Sequence, residues 1–197
     1  MGQAAALAHG WEKDPMAASA DRYSTVAIAL HWGIAILVLL QIGLYFAADS
    51  VEGPVARTFI EVHKASGLSI LVLTLIRLLW RVRHPAPLLP ATTPGWQRYL
   101  ARITQALFYV VLVGLPLGGW AASSAAQRPI DWFGLFNWPL LPLPADRELA
   151  GALMQMHENG AKVLYVLLVL HIAGALKHHF LDRDNVLRRM LPWLPPR

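Results

Sequence analysis

Four stretches of mostly apolar residues constrain this chain more than any other feature, because each is about as long as a lipid bilayer is thick. A helix needs about 20 such residues to cross the hydrocarbon core. The stretches run roughly over 24–47, 59–80, 99–122 and 153–176. The linkers HPAPLLPATTPG (84–95) and NWPLLPLPADRE (137–148) are too rich in proline to continue a helix and read as loops. Composition agrees, with 56% hydrophobic and 15% charged residues and a mean hydropathy of +0.43. The expected fold is an all-α integral membrane protein, an up-down bundle of four transmembrane helices. The expected divisions are a polar N-terminal tail (1–22), a four-helix domain (23–192) and a short C-terminal tail (193–197). The first 22 residues lack the apolar core of a signal peptide, so the first span is expected to stay uncleaved. No internal repeat is visible.

Charge orients the bundle. Twelve of the 17 Lys and Arg residues lie in the tail, around the second connection, or toward the C-terminus: Lys13, Arg22, Arg77, Arg81, Arg83, Arg98, Arg102, Lys177, Arg183, Arg188, Arg189 and Arg197. The first and third connections hold Arg57, Lys64, Arg128, Arg147 and Lys162. The positive-inside rule then places both termini in the cytoplasm, and an even number of spans agrees. The net charge of +5 fits basic loops facing anionic lipid, so nucleic acid is not an expected partner. There is no Cys, which excludes disulfides, thiolate metal sites and cysteine nucleophiles.

Four of the eight histidines fall inside the spans: His31, His63, His157 and His171. Ionisable groups at membrane depth are costly and usually face the bundle interior. One such histidine alone reads as a hydrogen-bonded packing residue. Four with matched depths read differently. In the expected orientation His31 and His171 lie near the inner ends of their helices, and His63 and His157 near the outer ends. His157 and His171 are fourteen residues apart, an advance of about 21 Å that returns a helix to within about 40° of the same face. Two levels result, His63 with His157 and His31 with His171. Such pairs suit two haems, each with both axial positions filled by imidazole, an arrangement for electron transfer rather than oxygen activation. Direct zinc or copper binding fits poorly, because the levels are too far apart for one site and two histidines alone make a weak zinc site. Proton relay and plain packing remain as alternatives.

Small residues stand near the histidines: Ala35, Gly67, Gly160 and Gly174. Each would leave room for a porphyrin face, or would equally serve ordinary membrane helix packing. Arg77, fourteen residues after His63, should share its face at the inner level. A haem propionate, a quinone carbonyl and the inner headgroups are its candidate partners.

Three segments, RYSTVAIALHW (22–32), EVHKASGLSILVLTLIRLLWR (61–81) and MHENGAKVLYVLLVLHIAGALKHHFLDRDNVLRRMLP (156–192), resemble the bacterial cytochrome b561 family of di-haem membrane cytochromes. The resemblance spans most of the chain after the tail. It implies two haem b groups ligated at His31, His63, His157 and His171, and Arg77, Gly67 and Gly174 are the positions expected from spacing in their surroundings. It implies a bacterial inner-membrane protein that passes electrons from a periplasmic donor to quinone, usually ubiquinone. At least one member oxidises superoxide, and related cytochromes anchor hydrogenases and other dehydrogenases to the quinone pool. Superoxide would be steered by Lys64, Lys162 and Arg57, although acidic residues nearby oppose this. His178, and less plausibly His179, would offer a hydrogen bond or a proton to a quinone, or else form an interfacial polar cluster. His9 and His84 read as solvated. Trp132 and Trp138 read as a membrane anchor or a docking surface for a dehydrogenase partner.

Overall fold

The computed structural model describes residues 22–191 and 193–194. The polar tail, with His9, and most of the short C-terminal tail lie outside the described residues. Four long helices carry the fold: α1 (Thr25–Asp49), α2 (Gly53–Arg83), α3 (Gly95–Ala125) and α4 (Arg147–Phe180). All four are long and apolar enough to cross a membrane, and their large apolar side chains face outward, as at Ile36, Leu79 and Val169. A helix apolar on every side belongs in lipid rather than water.

Local chemistry sets the helix ends. Ser24 caps α1 by accepting from Ala27 N, and Asp146 caps α4 by accepting from Glu148 N and Leu149 N. Pro54 opens α2, where its missing N–H costs nothing. Arg81 and Arg83 close α2 and Lys177 closes α4, each cation complementing the negative end of the helix dipole. The helices overrun the apolar stretches at both ends. Hydropathy reports only the length in contact with lipid, whereas α2 and α3, at 31 residues each, span about 46 Å.

The close helix pairings are α1–α2, α2–α3 and α3–α4. By contrast, α4 stands off from α1 and α2. One end of the bundle holds the start of α1 and the end of α4, and the hydrogen bonds Trp80 Nε1 to Ser24 Oγ and Lys177 Nζ to Gln97 Oε1 tie it together. We call it the termini end. The chain after α4 folds back beneath this end. Trp32 Nε1 donates to Met190 O (2.8 Å), and Arg189 Nη1 donates to Leu88 O (2.6 Å).

The connection between α3 and α4 adds an element absent from the all-α expectation, an antiparallel hairpin of β1 (Ile130–Trp132) and β2 (Phe136–Trp138). Leu135 N donates to Trp132 O across a turn whose central residues, Phe133 and Gly134, both have positive φ. Such a turn matches the twist of paired strands, and Gly134 takes this backbone without strain. Ile130 is buried against Leu68 and Leu71, and Trp132 Nε1 donates to Ser69 Oγ (3.1 Å). Ser69 lies six residues beyond His63 on α2, so the hairpin docks about 9 Å closer to the termini end than that histidine. The opposite end of the bundle, where α3 runs into the hairpin connection, is the hairpin end.

Candidate functional site

The wide side of the bundle, where α4 faces α1 and α2, carries the four histidines. The rings of His31 (α1) and His171 (α4) have centroids 6.1 Å apart. Those of His63 (α2) and His157 (α4) are 6.2 Å apart. The structure thus brings together the same two pairs that helix depth predicts. His31, His63 and His157 are half-buried, and His171 is exposed along α4.

This spacing can be tested against an iron held between two imidazoles. With metal–nitrogen bonds of about 2.0 Å and about 1.1 Å from nitrogen to ring centre, the centroids should lie about 6.2 Å apart. Both pairs meet that requirement. They do so where the backbones stand apart, as a flat macrocycle between helices requires. His63 Nδ1 is also buried without a hydrogen-bond partner, although buried polar atoms are normally paired. The residues fit the group.

The His157 ring is held in one orientation. Its Nδ1 lies 2.9 Å from Leu115 O. A carbonyl only accepts, so Nδ1 carries the proton and Nε2 keeps its lone pair for a metal. Pro116 removes one backbone donor from this part of α3, and Gly119 presents no side chain. A Cβ at Gly119 would lie 3.3 Å from His157 Nδ1, too close for the ring to keep its place. Nothing in the sequence singles out Leu115 or Gly119, because their role depends on how α3 is rotated against α4.

Gln41 is a second residue that sequence reasoning misses. Its Nε2 donates to His63 O (3.0 Å), and its Oε1 accepts from Ser66 Oγ (3.2 Å). A polar side chain in the middle of α1 is the signal that could have found it. The open side of Gly67 serves this contact rather than a porphyrin face, since a Cβ there would lie 2.9 Å from Gln41 Nε2. The space at Gly160 is likewise filled, by Leu115. Gly174 alone of the three faces open space.

Arg77 pairs with no acid among the described residues. Its Nη1 donates to Ala27 O (2.6 Å), one turn before His31. The residues expected to steer an anion are more compromised. Lys64 Nζ pairs with Glu61 at 2.7 Å, and Lys162 Nζ donates to Asn159 Oδ1. Arg57 is exposed.

At the termini end His178 belongs to a polar cluster. Its Nδ1 lies 2.6 Å from Asp184 Oδ2 and 3.3 Å from Asp182 Oδ2. Lys177 Nζ holds Asp182 at 2.6 Å, so a protein cation already serves this acidic group. His179 packs edge-on against Phe180. His84 is exposed, as expected, but its ring stacks on Trp80 at 4.0 Å.

A membrane bundle that offers paired imidazoles at two depths is a framework for b-type haem and for electron transfer. The chain belongs to the prokaryotic cytochrome b561 family, whose profile matches residues 22–193. It is 36% identical over 176 residues to cytochrome b561 homolog 2 of Escherichia coli, covering 87% of this chain and 92% of that one. It is 31% identical over 178 residues to a probable superoxide oxidase of Yersinia pestis, covering 87% and 96%. It is 29% identical over 178 residues to a cytochrome b562 of Cereibacter sphaeroides, covering 86% and 94%. Membership of this family makes the chain a multi-pass membrane protein of electron transfer and implies haem b binding.

Proposed function

We propose that this chain is a di-haem cytochrome of the bacterial inner membrane that oxidises superoxide at its hairpin end and reduces ubiquinone near its termini end. Both termini face the cytoplasm in this reading. The observation that carries it is the pair of ring separations, 6.1 and 6.2 Å, at two levels of one bundle. His63 and His157 hold one haem, and His31 and His171 hold the other. When bound, the haems supply one-electron transfer between the two ends of the bundle. The overall reaction takes two superoxide anions, one ubiquinone and two protons to two dioxygen molecules and one ubiquinol.

The protein's own groups bind and orient. Leu115 O and Gly119 fix the His157 ring with Nε2 free. Gln41 ties α1 to α2 beside His63. Arg57, Lys162 and the partly neutralised Lys64 draw the anion toward the hairpin end. His178 lies seven residues beyond His171, on nearly the same face of α4 and about 10 Å nearer the termini end. With Nδ1 held by Asp184, its Nε2 is the atom placed to hold or pass a proton to quinone. Gly174 leaves room beside the same pair.

A second reading is an electron relay that connects a hydrogenase or another dehydrogenase to the quinone pool. The Lys64–Glu61 ion pair favours it, because it removes positive charge from the face that would attract superoxide. Purified protein distinguishes the two. Oxidised and dithionite-reduced spectra with a haem-to-chain ratio come first, followed by a superoxide generator with ubiquinone. Two low-spin b haems per chain, with rapid quinone-dependent consumption of superoxide, support the enzyme. Two haems without that response support the relay. A colourless protein after growth with ample haem overturns both.

A further inference from the structure

The two histidine pairs are alike in spacing and unlike in charge. At the termini end the Arg77 guanidinium is fixed by its bond to Ala27 O, one turn from His31, and makes no ion pair among the described residues. Arginine keeps its proton at any accessible pH. At the hairpin end the His63 ring faces the His157 ring, and Gln41 Nε2 donates to His63 O. Of the cations at that end, Lys64 pairs with Glu61, Lys162 donates to Asn159 Oδ1, and Arg57 is exposed.

We propose that Arg77 makes the His31–His171 site the electron sink of the molecule. This rests on haem occupancy of both pairs. With two neutral imidazoles, a ferric haem core carries one positive charge and a ferrous core none. A fixed cation alongside therefore disfavours the ferric form and raises the potential of that site over the other. Transfer of one electron from the hairpin-end iron to the termini-end iron leaves the first ferric and the second ferrous, with no bond made or broken. A unit charge about 10 Å away at an effective dielectric near 20 biases that equilibrium roughly tenfold. Arg77 acts as a positioning charge: it sets where the electron rests and touches no substrate.

The experiment is a spectroelectrochemical redox titration of the full haem-loaded chain in lipid nanodiscs. The wild type should show two one-electron components. R77Q should lower the upper component by roughly a tenfold change in equilibrium, about 59 mV for one electron, and leave the lower one in place. R77K, which keeps the charge, should stay near the wild type. A second variant covers loss of folding in R77Q. H63A retains only the termini-end pair, and its single midpoint should match the upper wild-type component. The inference is overturned if R77Q moves neither component or both equally, if R77K moves as far as R77Q, or if the H63A midpoint matches the lower component. A wild-type protein with one haem or none overturns the di-haem reading, and this inference with it.

Discussion

Two adjacent glycines on α3 provide the sharpest test of how the hairpin-end site is built. A Cβ at Gly118 would meet nothing within 4 Å, whereas one at Gly119 would lie 3.3 Å from His157 Nδ1 and 3.4 Å from Cε1. Replacing either glycine by alanine within a helix should contribute about 1 kcal/mol of stability through reduced backbone entropy. At Gly118 nothing opposes that gain. At Gly119 the ring must retreat by a few tenths of an ångström, and its 2.9 Å bond to Leu115 O lengthens toward loss. That bond contributes about 1 kcal/mol, so the two effects nearly cancel in the stability of the apoprotein. They do not cancel in haem affinity, because losing the partner that orients a metal-binding histidine typically costs 10–100-fold. G118A should therefore unfold at or above the wild-type temperature and keep two haems. G119A should unfold near the wild-type temperature while losing one haem about ten times faster to apomyoglobin in a transfer assay. Equal haem loss from G119A, G118A and wild type would refute the argument that Leu115 O holds His157.

Other substitutions separate the remaining parts. H31A and H157A should each retain one haem per chain, at opposite ends of the bundle, as read by the pyridine haemochrome assay. Retention of two haems by either variant would remove its histidine from the ligand set. Q41L removes the bonds to His63 O and Ser66 Oγ and should cost about 1–2 kcal/mol, seen as a fall of a few degrees in melting temperature. An unchanged melting temperature would show that the contact contributes nothing net. W32F deletes the donor to Met190 O, and hydrogen exchange in the segment after α4 should rise severalfold while the helices stay protected. D184N should slow quinone reduction more than it changes haem content, because it weakens the hold on His178 Nδ1. Equal loss of both would mark Asp184 as structural only.

Sequence periodicity reveals much of this molecule because membranes make depth legible. Apolar length locates each helix, and fourteen residues on one helix fix two levels on one face, so His31, His63, His157 and His171 can be paired without coordinates. What escapes is whatever depends on the rotation of one helix against another. Gly67 reads as room for a cofactor, yet it admits Gln41. Gly119 looks like one of several small residues near a proline, yet it admits His157. The hairpin escapes for another reason. Its turn is made by Phe133 and Gly134 rather than by an Asn-Gly or Asp-Gly signal, and its strands are three residues long.

One helix supplies a ligand candidate to both sites. His157 and His171 share a rigid rod, while their partners stand on separate helices, α2 and α1. Because α4 packs closely only on α3, its rotation and height are otherwise weakly set against α1 and α2. Capture of haem between α4 and either neighbour fixes both at once. In the di-haem reading the remaining pair would then be already aligned, and a second haem would bind without the ordering cost that the first one met. Loading should therefore be cooperative, with preparations short of haem dividing into empty and doubly filled chains and few holding a single haem.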